Sequence, residues 1–247
     1  MTAKTGAADS ILIGGDIPVL LRRSARARRM TLRVTRAEGK VVLTLPLRAS
    51  LTEGRAFAES RADWLRRIRA DLPQASLAVP GALLPVEGRL LRLTPAATRL
   101  VRTEGETLLV PQGRPMGVLV QSWLRHLAHA RLVAACDAHA ARLGRPFRAL
   151  VLRDTRSRWG SCTQDGRLMF SWRLAMAPPA VLDYVAAHEV AHLAHMDHSP
   201  AFWAATARLR PDCQIQRAWL KRHGHELMAW QFPRDQAPAR QHPQIPD

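Results

Sequence analysis

The chain has 247 residues, 47% of them hydrophobic, so it can bury the core of one large domain or two small ones. Its formal net charge is +17, and no apolar run reaches the length that spans a bilayer, which excludes a helical membrane protein. Almost all of the positive charge is arginine, with lysine only at Lys4, Lys40 and Lys221. Together with the high alanine content this points to compositional bias, so charge alone is weak evidence for a nucleic-acid partner.

The opening MTAKTGAADSILIGGDIPVLL lacks a basic segment leading into a long apolar stretch. Neither a signal peptide nor an anchor is expected, and residues 1–16 read as a flexible N-terminus. Between Ile17 and Pro46 the segments IPVLL, MTLRV and KVVLTL alternate, with a turn at Glu38-Gly39, which predicts a small antiparallel meander. A helix follows, with Thr52 as N-cap, Phe57, Trp64, Leu65 and Ile68 on its apolar face, and Pro73 as its stop. Arg22, Arg23, Arg26, Arg28 and Arg29 form one dense basic cluster, and Arg61, Arg66, Arg67 and Arg69 form another. They attract polyanions or are a solvated basic face. Turns at Glu87-Gly88 and Glu104-Gly105-Glu106 predict two hairpins between Leu83 and Val110. Gln112-Gly113-Arg114-Pro115 then reads as a boundary between a β-rich subdomain, 17–113, and a mainly helical one, 114–231.

A long helix is predicted from about Pro115 to Leu143, stopped by Gly144, with Leu119, Trp123, Leu127, Ala130, Ala134 and Ala138 as its core stripe. His126, His129 and His139 on this helix read as surface or satisfied polar positions. FRALVLRD and LMFSW look like strands, separated by the loop TRSRWGSCTQDG. The three cysteines, Cys136, Cys162 and Cys213, are odd in number and lack C-x-x-C spacing, which suits a reducing cytoplasm. Cys162 reads as a small packed thiol. No internal repeat is evident, and residues 232–247 read as a Pro-rich disordered tail.

Residues 188–198, His-Glu-Val-Ala-His-Leu-Ala-His-Met-Asp-His, carry the chemistry. On a helix His188 and His192 stand one turn apart, where two imidazoles can bind one zinc while Glu189 draws a proton from a water that the ion activates. For a third ligand the segment offers His195 and His198. A continuing helix would stack His195 above His192, and three ligands in a row cannot surround a tetrahedral ion. His198 precedes Ser199-Pro200, an N-cap and first helical residue, so the chain must reverse near 195–198 and can return His198 to the metal. Beyond it SPAFWAATARL forms a helix that packs against the zinc helix and holds His198, and a last helix runs from about Asp212 to Trp230 with Trp219 and Leu220 inward. His223 and His225 are weak candidates for contacts around the site. Tyr184, the only tyrosine, lies one turn before His188 and either packs in the core or offers its hydroxyl to a ligand or substrate.

The stretches Arg156-Ser157-Arg158-Trp159-Gly160-Ser161-Cys162, Leu168 to Leu174, Tyr184 to His192, and Asp197-His198-Ser199 with Phe202-Trp203 resemble the YgjP-like metallopeptidases, relatives of the WLM and SprT-like zinc proteases. The resemblance extends more weakly from about Leu20 to about Trp230 and implies an α+β, zincin-like metallopeptidase domain. It implies one zinc per chain on His188, His192 and His198, and Glu189 as catalytic base. It also implies that LMFSW, with Phe170 and Ser171, is a sheet edge that binds an extended peptide, as an open edge can through main-chain hydrogen bonds. Arg156 and Arg158 could orient a carboxylate of the substrate or pair with the domain's own acids. The metzincin pattern needs Gly where this chain has His195, which argues against that group. The expected activity is a cytoplasmic zinc metallopeptidase acting on peptides or proteins. Two alternatives stand beside it, a basic nucleic-acid-associated protease or DNA-binding protein of SprT-like type, and a purely structural zinc. Three His with an adjacent Glu leave a coordination position open, whereas structural sites usually close with Cys.

Overall fold

The computed structural model of the protein describes residues 10–34, 39–70, 76–155 and 157–234. The expected loose residues 1–9, the turn residue Glu38, the helix stop Pro73, Arg156 and the tail from residue 235 lie outside the described residues. The chain divides into two compact units, Met1–Ala75 and Ser76–Asp247.

In the first unit four strands, β1 (Ser10–Ile13), β2 (Ile17–Ser24), β3 (Thr31–Val34) and β4 (Val41–Pro46), form a sheet in the order β1-β2-β4-β3. Val41, Leu43 and Leu45 on β4 are buried at alternate positions, and with Ile13, Ile17 and Val19 they meet Ala58 and Leu65 in a core of their own. This is not the expected meander. β2 runs parallel to β4, while β3 closes the sheet on the far side of β4, and β1 begins inside the stretch expected to be loose. Alternation tells which residues face the core, but not which neighbour a strand takes.

The expected single helix is two, α1 (Leu51–Glu59) and α2 (Ala62–Ala70). Its N-cap is Ser50 rather than Thr52, because Ser50 and Glu53 make a capping box. The Ser50 hydroxyl accepts from the Glu53 N–H at 3.1 Å, and the Glu53 carboxylate accepts from the Ser50 N–H at 2.9 Å.

The second unit opens with β5 (Leu83–Val86), β6 (Arg89–Ala96), β7 (Arg102–Glu104) and β8 (Thr107–Pro111), ordered β5-β6-β8-β7. Both expected hairpins are present. The first turns at Glu87-Gly88, both with positive φ, the backbone that a two-residue hairpin of right-twisted strands requires. Where the sequence suggested no repeat, the two four-stranded sheets share one connectivity, each an antiparallel hairpin, a parallel central pair and a second hairpin. The β5–β8 sheet buries Leu84, Leu91, Leu93, Leu108 and Val110 in the same core as the helices that follow. The division therefore falls between residues 75 and 76, not at the expected 113/114.

Helix α3 (Met116–Leu143) ends as expected on Gly144, in the left-handed conformation at φ 70°. Its buried stripe is Val120, Leu124, Ala128, Leu132, Cys136 and Ala140, one position round from the predicted one; Ala130, Ala134 and Ala138 are exposed. Alanines are poor markers of a buried face. His139 is buried and bonded to Asp183 at 2.9 Å, while His126 and His129 are exposed.

The remaining elements are β9 (Ala149–Arg153), β10 (Gly160–Cys162), β11 (Arg167–Ser171), a 3-10 turn at Trp172–Met176, α4 (Pro179–Ala191), α5 (Pro200–Leu209) and α6 (Cys213–Ala229). β10 lies within the segment expected to be only a loop. Phe232, assigned to the tail, packs edge-on against Trp172 at 5.2 Å between ring centres.

Arg173 is 1% exposed at the centre of this unit. Its guanidinium donates to the Leu227 and Trp230 carbonyls at the end of α6, at 3.0 and 2.9 Å, and to Asp154 at 3.1 Å. The planar fork satisfies carbonyls that the helix end leaves unpaired, and its face lies 4.6 Å from the Trp172 ring centre. Arg173→Ala is expected to cost about 2–4 kcal/mol, because it leaves the buried carbonyls of Leu227 and Trp230 without a donor while Asp154 keeps its access to solvent. Arg173→Lys should recover only part of it. Urea unfolding monitored by tryptophan fluorescence measures both, and a loss below about 1 kcal/mol for Arg173→Ala would contradict this role.

Candidate metal centre

Helix α4 is mostly apolar and buried on several sides, with Val181, Leu182, Val185, Ala186, Ala187, Val190 and Ala191 in the core. Its last turn projects His188, and His192 caps its end, with the two rings 5.1 Å apart and nearly perpendicular. The reversal begins three residues earlier than expected. The N–H groups of Leu193 and Ala194 bond back to Val190 and Ala191 as tight turns at 2.9 and 3.1 Å. The carbonyl of His195 then accepts from His192 Nδ1 at 2.9 Å, which leaves Nε2 of His192 unprotonated and facing the site. His195 thus contributes its backbone, and its ring is not among the converging ligands.

Ser199 caps α5, its hydroxyl accepting from the Phe202 N–H at 3.4 Å, with Pro200 in the first turn as predicted. The turn brings His198 Nε2 to 3.3 Å from His188 Nε2, and the ligand atoms of His188, His192 and His198 all lie within 4.8 Å of one another. Phe202, fully buried, is the plate beneath them. It stacks on His192 at 4.4 Å and meets His188 and His198 edge-on at 4.9 and 4.8 Å. Burial first, and then the neighbouring imidazoles, hold His188 far down in its range, at about 3, and burial also lowers His192. Both are neutral near pH 7, with lone pairs available to a cation. Three imidazole nitrogens converging without an acidic or sulfur ligand among the described residues fit a divalent transition metal.

Glu189 is 5% exposed beside this trio, and burial pushes its carboxyl up to about 8 against the opposing pull of Arg158. The carboxylate lies so close to β10 that a Cβ on Gly160 would stand 2.5 Å from Glu189 Oε1, so a larger residue there would displace the Glu189 side chain. Gly160, Ser161 and Cys162 line a cleft of about 260 Å³ with His188, Glu189, His192, Met196 and His198.

The expected substrate edge is corrected by the sheet itself, whose order is β10-β11-β9. LMFSW lies on the central strand, paired antiparallel to β10 and parallel to β9, and Phe170 and Ser171 are fully buried. They are core residues without an open edge. That edge belongs to β10. Trp159 and Thr163 share backbone hydrogen bonds with Ser171 and Arg167 at 2.8 and 3.0 Å, so by alternation Ser161 also faces β11, while the N–H and C=O of Gly160 and Cys162 point outward.

Tyr184 is 5% exposed, with its ring edge-on to His188 at 5.9 Å and burial pushing its hydroxyl up to about 12. Arg158 is exposed next to β10. The Cys162 thiol, raised to about 11 by burial and by Glu189, stays protonated and donates to the Thr163 carbonyl at 3.4 Å. His223 lies 3.3 Å from Glu226 and packs against Trp219 with the rings tilted at 39°, and neither it nor His225 lines the cleft. Gly160, Met196 and Phe202 were missed as site residues, although Gly160 was signalled by its place in the Trp159-Gly160-Ser161-Cys162 run.

A family model described as YgjP-like, metallopeptidase domain, matches residues 28–223, a span that includes β10, α4 and His198. Comparison with curated proteins and with solved structures found no match.

Titration with zinc is expected to give one tight site per chain. His198→Ala should weaken it far more than His195→Ala, since any residue at 195 supplies the carbonyl that orients His192. Loss of zinc from the His195 variant with retention by the His198 variant would overturn this ligand set.

Proposed function

We propose that this chain, which belongs to the YgjP-like metallopeptidase family, hydrolyses peptide bonds in peptide or protein substrates using one zinc ion held by His188, His192 and His198. The observation that carries this reading is the convergence of three imidazoles beside a buried carboxylate and an open strand edge. Three nitrogen ligands favour zinc and leave a fourth position for solvent or substrate. When bound, the ion would supply Lewis-acid polarisation of water and of the scissile carbonyl.

The chain's own groups supply the rest. Glu189 accepts a proton from the attacking water and returns it to the leaving amine, a task suited to a carboxyl whose proton affinity burial has raised well above that of a free glutamate. Gly160 leaves that carboxylate room to lie against the strand. The outward main-chain groups of Gly160 and Cys162 can pair with an extended substrate and hold it in register along the cleft, whatever its sequence. The His195 carbonyl keeps His192 in the tautomer with a free Nε2. Met196, 47% exposed, offers an adaptable apolar wall to a substrate side chain.

Glu189→Gln should keep the fold and the zinc but lower peptide hydrolysis by about 10²–10⁴-fold, because the amide cannot accept the proton. A peptide library incubated with zinc-loaded wild type and variant measures this. Equal rates would remove Glu189 from the chemistry, and a wild type that cleaves nothing would sink the peptidase reading.

The β10 edge has its own test. Cys162→Pro deletes an outward N–H while leaving the β11 ladder intact, and should reduce kcat/KM by about tenfold with zinc retained. Cys162→Ala, which keeps that N–H, is the reference. Equal kcat/KM in the two variants would mean that substrate does not pair with this edge.

A further inference from the structure

Two arginines stand beside the cleft without a carboxylate in hydrogen-bond contact. Arg158 is exposed one residue before Trp159-Gly160, at the start of the cleft-lining strand, and close enough for its charge to act on Glu189. Arg217, on α6, is exposed with its guanidinium 4.8 Å from the ring centre of Trp203. That indole in turn lies 5.8 Å from His188 and 5.9 Å from His198. Some arginines of the same unit are neutralised at short range, Arg131 by Glu87 at 2.7 Å, Arg148 by Asp165 at 3.1 Å and Arg210 by Asp183 at 2.8 Å. Arg158 and Arg217 make no such ion pair among the described residues. The cleft lining contains one carboxylate, Glu189, and it is buried. At its mouth the exposed acid Asp197, between the lining residues Met196 and His198, faces two cations, Arg158 and Arg217.

We propose that Arg158 and Arg217 make this cleft selective for acidic peptides, pairing with Asp or Glu side chains that flank the bond to be cleaved. The inference rests on the peptidase reading of the same cleft and adds its substrate class. Stacking on Trp203 holds the Arg217 guanidinium in place, so less side-chain entropy is lost when it meets a carboxylate. Arg158 sits where a peptide lying along β10 would pass. Exposed charge pairs are modest, about fivefold each at best, so two of them give a preference of about tenfold or more. Salt should weaken it.

The test is equilibrium binding, which does not depend on turnover. Fluorescent peptides with blocked ends, one carrying Glu residues and one with Gln in their place, are titrated by anisotropy against the zinc-loaded full chain, against Arg158→Gln, Arg217→Gln, and the double variant. A third peptide, neutral but with a free C-terminal carboxylate, separates side-chain recognition from chain-end recognition. The expected result is tighter binding of the Glu peptide by about tenfold, reduced in each single variant and absent in the double variant, with zinc content unchanged. Equal binding of the Glu and Gln peptides, or a preference that survives the double variant, would overturn the proposal, as would a preference confined to the free C-terminus. Selective binding without cleavage of any peptide would instead count against the peptidase reading and leave the acid selectivity standing.

Discussion

Everything in the C-terminal unit answers to the crowding of three imidazoles within 4.8 Å of one another around Phe202. Burial and mutual repulsion make protonation of His188 and His192 unfavourable, so these two are held as neutral bases with lone pairs turned to the site. Such a cluster is costly unless a cation occupies its focus, and it persists only if the backbone around it is fixed by other means.

Those means are visible in the packing of α4. Asp183, one turn before Ala187, binds His139 of α3 at 2.9 Å and Arg210, just past α5, at 2.8 Å. Arg142 of α3 donates to the carbonyls of Arg208 and Leu209 at the end of α5, each at 2.8 Å. The helix bearing the first imidazole and the helix that follows the third are thus both tied to α3, and the tight turn between them has little freedom. On the other side of α4, the contact of Gly160 with Glu189 sets the distance between the carboxylate and the strand edge. The same close approach links proton transfer to substrate register in the proposed reaction.

Much of the site was legible in the sequence because it is local. His188, Glu189 and His192 follow from helical spacing, and His198 from the reversal forced by Ser199-Pro200. What failed was non-local. The apolar run LMFSW is equally consistent with a central strand and an edge strand, and only pairing on both of its sides decides for the centre. β10 was hidden because three residues, Gly160-Ser161-Cys162, are too short to show alternation. Phe202 was expected to pack against the zinc helix, but its contact with all three rings depends on the angle between α4 and α5. The stripe of α3 was displaced by one residue because an alanine-rich helix marks its buried face weakly, and Arg173 gave no signal at all, since a buried arginine has no sequence pattern.

In the proposed site the three histidines bind one zinc and leave a position open beside Glu189, which X-ray absorption at the zinc edge of the loaded protein reads out. The expected spectrum has three imidazole ligands at about 2.0–2.1 Å and one further light ligand from solvent, with no sulfur. A sulfur shell at about 2.3 Å, which would place Cys162 on the metal, or a fourth protein ligand closing the site, would contradict it.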